Sequence, residues 1–141
     1  MVTIDASVYI AAAFATDKYH TDSVLFLGKT RRLSTDIVCP ALVLPECAGA
    51  VARRTGRASL AQHVLTLIGT SASLTLAPLG ETLARQAADI ARLYQLRGAD
   101  AVYVAVAQAF GATLITWDTE VLQRGQAVVV TLTPTQAAVI L

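Results

Sequence analysis

Ten acidic residues are spread through this 141-residue chain, and four of them stand among apolar neighbours. Asp5 follows Val2-Thr3-Ile4, and Glu46 lies within Leu42-Val43-Leu44-Pro45-Glu46-Cys47-Ala48. Asp100 precedes Ala101-Val102-Tyr103-Val104-Ala105, and Asp118 follows Leu114-Ile115-Thr116-Trp117. An isolated ionised carboxylate is strongly unfavourable in apolar surroundings, so acids in such places are paired, neutralised or bound to metal. Four gathered at one place would repel one another and raise their pKa values, unless a divalent cation held them. Oxygen ligands without His or Cys select Mg²⁺ or Mn²⁺ rather than zinc. Helix capping is the competing explanation: Asp5 could cap a helix starting near Ser7, Asp100 could cap its own helix, and Glu46 could favour a helix dipole. For each acid alone the two explanations are about equal; for all four together capping is the weaker. The other six acids have ordinary settings. Asp17 and Asp22 lie in a polar stretch, Asp36 opens a strand, and Glu120 falls in the turn or short helix after one. Glu81 and Asp89 each lie four residues from Arg85, the spacing of solvated helical ion pairs.

The elements that must position these acids alternate between short β-branched runs and longer helical periods. Strands are expected at Val2–Ile4, Ile37–Cys39, Leu74–Ala77, Thr113–Thr116 and Val128–Leu132. Helices are expected over Ser7–Phe14, from a cap at Thr21 or Asp22, over Leu42–Arg54, Ala58–Ile68, Glu81–Leu96 and Ala99–Phe110, with a last turn from Thr135. Pro45 in the first turn of its helix does little harm, because its missing N–H would be unsatisfied there anyway. Alternating strand and helix is the pattern of a parallel sheet covered on both faces. Such a sheet binds ligands beyond the carboxyl ends of its strands, where strand order reverses. Two of the four acids follow strands and two begin helices, so one sheet edge could gather all four.

Composition agrees with that class. Hydrophobic residues make up 55% and charged residues 15%, below the roughly 25% of a typical soluble domain. Disorder, collagen and coiled coil are excluded, and strands buried on both faces account for the apolar excess. The formal net charge of +1 provides no global field toward nucleic acid, so any charge chemistry depends on placement. The length fits one domain. Met1-Val2-Thr3-Ile4-Asp5 lacks the basic start of a signal peptide, and neither Ala58–Gly80 nor Ala101–Trp117 reads as a membrane span, so a cytoplasmic protein is expected. Cys39 and Cys47 match no zinc or redox spacing and read as buried thiols. Neither GxGxxG, a Walker A loop nor GxSxG occurs, which removes support for dinucleotide, NTP and nucleophile-elbow chemistry. The only lysines are Lys18 and Lys29, so a receiver-type phosphoacceptor lacks its partner. His20 and His63 stand apart without metal-ligand spacing.

With these residues in view, the chain resembles the PIN-domain family, and within it the small single-domain ribonucleases of the VapC toxin type. Ile4-Asp5-Ala6-Ser7, Pro40-Ala41-Leu42-Val43-Leu44-Pro45-Glu46, Gly98-Ala99-Asp100-Ala101 and Leu114-Ile115-Thr116-Trp117-Asp118 carry the likeness, in family order. Each motif alone is weakly specific; four in order are fairly specific, and together they span essentially the whole chain. The resemblance implies one PIN-like domain over residues 1–141, a three-layer α/β/α fold with a five-stranded parallel sheet. It also implies endonucleolytic cleavage of RNA at a Mg²⁺ or Mn²⁺ site. It carries the catalytic, metal-binding acids over to Asp5, Glu46, Asp100 and Asp118, and the supporting hydroxyls to Ser7 and Thr116. Many relatives have another acid shortly after the position of Asp118; here Glu120, and no aspartate, occupies that region. A small antitoxin partner and a homodimer are further implications. Arg53, Arg54 and Arg57 cluster at the end of the helix bearing Glu46, with Lys29, Arg31 and Arg32 as a second group. The first three could bind RNA phosphates or simply complement a helix dipole. Alternatives are a PIN-domain RNA-processing nuclease that is not a toxin, and a catalytically silent interaction domain.

Overall fold

The computed structural model describes residues 1–71 and 73–141. In chain order the elements are β1 (Val2–Ile4), α1 (Ala6–Ala13), α2 (His20–Arg32), β2 (Ile37–Pro40), α3 (Val43–Thr55), α4 (Ala58–Gly69) and β3 (Leu74–Ala77). Then follow α5 (Glu81–Tyr94), α6 (Gly98–Phe110), β4 (Thr113–Ile115), α7 (Thr119–Arg124), a 3₁₀ turn at Gly125–Ala127, β5 (Thr131–Leu132) and α8 (Pro134–Ile140). The strands form one sheet in the order β3-β2-β1-β4-β5, every pair parallel. The five-stranded parallel α/β fold is therefore the one expected.

The layers follow from crossover handedness. Parallel crossovers are right-handed, so the connections from β1 to β2 and β2 to β3, which step one way, place α1–α4 on one face. The chain then reverses past β1 to β4, and α5 and α6 cover the other face. Accordingly α6 packs on β1, β2 and β4, while α1 packs on α2 and α3. Val2, Ile4, Leu114 and Ile115 of the central strands are buried, as sheets covered on both sides require. The strand order reverses between β1 and β4, where Val2, Thr3 and Ile4 pair with Thr113, Leu114 and Ile115. Their carboxyl ends are followed by Asp5 and by Thr116-Trp117-Asp118.

Several boundaries differ from the sequence reading for identifiable reasons. α2 begins at His20, with Tyr19 at its cap, and not after Thr21 or Asp22. Asp17 closes the preceding turn by accepting from the Tyr19 amide at 2.9 Å, which lets the helix start early. α5 stops at Tyr94 because Gln95 turns left-handed, φ 56°; Gly98, read as the breaker, opens α6 instead. Asp89 pairs with Arg92 at 2.9 Å and not with Arg85, which holds Glu81 at 2.7 Å. The expected strand Val128–Leu132 shrinks to Thr131–Leu132, since Val128 and Val129 close back on Gly125 and Val130 is 64% exposed. Thr133 caps α8 in a capping box with Gln136, starting it at Pro134.

Candidate active site

All four acids line one cleft of about 810 Å³ at the carboxyl edge of the sheet, together with Ser7, Arg53, Arg54 and Arg97. Each acid arrives on a different element. Asp5 occupies the cap position of α1, yet its carboxylate makes no capping bond. It is buried and accepts from Ser7 Oγ and Thr116 Oγ1, both at 2.6 Å to Oδ2. A hydroxyl has one proton to give, so both must use lone pairs for their other partners. Ser7 accepts from the Trp117 amide at 3.1 Å and Thr116 from the Asp118 amide at 3.0 Å. The two hydroxyls thus relay backbone N–H groups of the segment after β4 onto Asp5. Desolvation by burial still raises the Asp5 pKa, against these bonds, with the charge of Asp118 adding to the rise.

Glu46 sits in the first turn of α3, where Tyr103 from α6 donates to its Oε2 at 2.5 Å. Burial raises the Glu46 pKa and the Tyr103 bond opposes the rise. Burial, and after it the same contact, push the Tyr103 phenol up. Asp100 is the third residue of α6, whose cap position belongs to Arg97, so capping does not explain it. Its pKa is raised by burial and pulled back by Arg97. Asp118 does cap: its Oδ1 accepts from the amides of Glu120 at 2.8 Å and Val121 at 3.1 Å, starting α7. Capping and site chemistry are compatible there, because they use different oxygens of one carboxylate.

Arg97 joins the last two acids. Its Nε donates to Asp100 Oδ2 at 2.9 Å and its Nη2 to Asp118 Oδ2 at 2.6 Å. Of the three arginines expected to meet RNA, Arg53 and Arg54 line the cleft. Arg54 is also held by Asp17 at 3.8 Å and by the Phe14 ring at 4.0 Å. Arg57 caps α4 and is not among the cleft residues. Glu120 is paired with Arg124 at 2.5 Å instead of joining the cleft. Lys29 is spent on α8, donating to the Ala138 carbonyl at 2.6 Å.

The donor chemistry suits a hard divalent cation. Among the described residues Asp5 Oδ1, Glu46 Oε1 and Asp100 Oδ1 accept no protein hydrogen bond, while their partner oxygens are tied down. Pinning one oxygen of a carboxylate fixes the direction of the other. Yet among the described residues no three acidic, His or Cys side chains stand close enough to hold a metal ion together. With Arg97 between Asp100 and Asp118, two of the acids answer to a guanidinium. Arg97 and Tyr103 were not singled out in the sequence. Arg97 stands three residues before Asp100, an ion-pair spacing, and Tyr103 is a polar-tipped aromatic in an otherwise apolar helix run.

The sequence profile of the PIN domain matches residues 2–126. The chain belongs to the PIN-domain family. Solved structures agree on the fold. The toxin VapC20 of Mycobacterium tuberculosis, described as sarcin–ricin loop cleaving, superposes with a TM-score of 0.74 at 18% identity, over 84% of this PIN domain chain and 91% of its own. VapBC2 of Rickettsia felis, bound to a DNA fragment from its promoter, gives 0.71 at 14% identity, covering 94% and 98%. FitAcB of Neisseria gonorrhoeae gives 0.68 at 20% identity, covering 95% and 98%. No curated protein matches in sequence. Among the described residues, no helix of this PIN-domain chain is long and apolar enough to cross a membrane.

Proposed function

We propose that this chain is a single-domain, Mg²⁺- or Mn²⁺-dependent endoribonuclease, acting in the cytoplasm as the toxin of a toxin–antitoxin pair. One observation carries the reading: four carboxylates from four elements line one cleft beside Arg53, Arg54 and Arg97. Asp5, Glu46, Asp100 and Asp118 would hold the ion. When bound, it supplies Lewis acidity at a phosphoryl oxygen and lowers the pKa of a water for hydrolysis of the phosphodiester.

The chain's own residues do the rest. Ser7 and Thr116 orient Asp5, and Tyr103 orients Glu46. Arg53 and Arg54 offer the nearby positive charge for RNA phosphates that a net charge of +1 does not supply globally. A small antitoxin would inhibit by packing across the cleft. A homodimer is part of this reading; the exposed apolar side chains Leu25, Val139 and Ile140 on the packed helices α2 and α8 support it.

The test is cleavage of an end-labelled structured RNA with Mn²⁺, with EDTA, and by the Asp5→Asn variant. Asn keeps a carbonyl acceptor for Ser7 and Thr116, so the fold survives. Cleavage should require the metal and fall in the variant by at least the ~100-fold that loss of an outer-shell partner alone can cost. Metal-independent cleavage, or a fully active variant, refutes the assignment.

A further inference from the structure

Arg97 rests on two carboxylates that the proposed function gives to a metal ion. It is carried by the linker between α5 and α6, and the base of that linker is firmly held. Leu96 is buried, and the Gln95 carbonyl accepts from Arg124. The tip is different. The Arg97 side chain is 66% exposed, against 14% for Asp100 and 26% for Asp118. Among the described residues its only side-chain partners are those two acids. A side chain this exposed can swing its guanidinium into water, where the charge is hydrated. A well-seated arginine fork matches carboxylates in geometry as well as in charge.

The oxygens involved make this consequential. Asp118 has already committed Oδ1 to the start of α7, so Oδ2 is its remaining oxygen, and Arg97 occupies it. Asp100 has Oδ2 on Arg97. While the guanidinium is seated, it neutralises the outer pair of acids and withholds one oxygen of each from any other cation. Asp5 and Glu46 make no hydrogen bond to it.

From this we infer that Arg97 is a built-in stand-in cation: it stabilises the metal-free cleft by bridging Asp100 and Asp118, and a divalent ion must displace it to bind. This deepens the nuclease reading and rests on it. Two consequences follow by linkage. The bridge weakens metal affinity, because the ion competes with a resident charge. It also protects the metal-free fold, because removing the guanidinium leaves the acid cluster without its nearest counter-charge. Once displaced, the arginine is a free cation on an exposed arm beside the cleft, suitably placed for an RNA phosphate.

Calorimetric titration with Mn²⁺, without RNA, tests this on the wild type, Arg97→Gln and Arg97→Lys. Arg97→Gln should bind Mn²⁺ about tenfold more tightly, the effect of losing a competitor of partly exposed ion-pair strength. Arg97→Lys should fall between, since a point charge cannot fork. In EDTA, Arg97→Gln should melt below the wild type, and saturating Mn²⁺ should close that gap, because the affinity gained equals the metal-free stability lost. Equal Mn²⁺ affinities in all three proteins would overturn the stand-in while leaving the metal site intact. A weaker affinity in Arg97→Gln would overturn it as well. Absence of Mn²⁺ binding in every protein would overturn the metal reading, and the stand-in with it.

Discussion

Replacing Tyr103 by Phe removes one hydroxyl from the interior and little else. Tyr103 is 1% exposed, its ring is packed within the main core, and its oxygen lies 2.5 Å from Glu46 Oε2. Phe fills the same ring volume, so no large cavity forms and the perturbation is the lost bond. Hydrogen bonds to charged groups contribute about 1.5–3 kcal/mol. Glu46 is only half-buried, and water can partly replace the phenol, which places the loss near the low end, about 1.5 kcal/mol. For a chain of this length that corresponds to a fall in Tm of about 5 °C. The loss should also depend on pH. The phenol favours the charged carboxylate, so without it the Glu46 pKa rises further above its ordinary range. The variant should therefore be most destabilised at pH 8, where Glu46 is ionised, and least at pH 5, where more of it is neutral. Urea unfolding of both proteins at the two pH values, in EDTA, provides the measurement. A loss below about 0.5 kcal/mol at pH 8, or an equal loss at both pH values, would refute the argument that Tyr103 holds a charged Glu46.

The metal-free protein should grow more stable as pH falls from 7.5 toward 5. Burial holds Asp5, Glu46 and Asp100 above their ordinary pKa values, so the folded state binds protons first. Stability from these groups is fully present below the ordinary carboxylate range and is lost as pH rises through the raised values; urea midpoints in EDTA that fall steadily with acidification would contradict this. Asp5→Asn should flatten that slope and stabilise the metal-free protein at pH 8, readable in the same series; an unchanged slope would mean that Asp5 is not under electrostatic strain. Reversing Arg53 and Arg54 to Glu should weaken RNA binding and reduce its salt dependence, as filter binding over a salt series would report. An unchanged slope would leave these arginines as dipole partners of α3.

The parts of this architecture legible in the chain are those set by local chemistry and burial. β1 and β3 begin and end where their apolar runs do, and the double-faced burial of Leu114 and Ile115 follows from a run without polar alternation. Asp5, Glu46, Asp100 and Asp118 were conspicuous because charge is scarce around them. β5 misled because Val128-Val129-Val130 has strand propensity, whereas Gly125 draws the first two into a turn and leaves the third in solvent. Arg97 could be suspected of meeting Asp100 from spacing alone. Its bond to Asp118, 21 residues away, exists because β4 runs back along α6 and returns the chain to the edge where that helix begins. Tyr103 was hidden in the same way: within α6 it is one more large residue of a core helix, and only the packed fold brings Glu46 to its hydroxyl.

The central claim is that the cleft carboxylates hold a divalent ion, and anomalous scattering from crystals grown with Mn²⁺ tests it most directly. The account predicts an anomalous peak among the side chains of Asp5, Glu46, Asp100 and Asp118, with the Arg97 guanidinium withdrawn from Asp118. Manganese bound only elsewhere, or a cleft still bridged by Arg97 at saturating Mn²⁺, would contradict it.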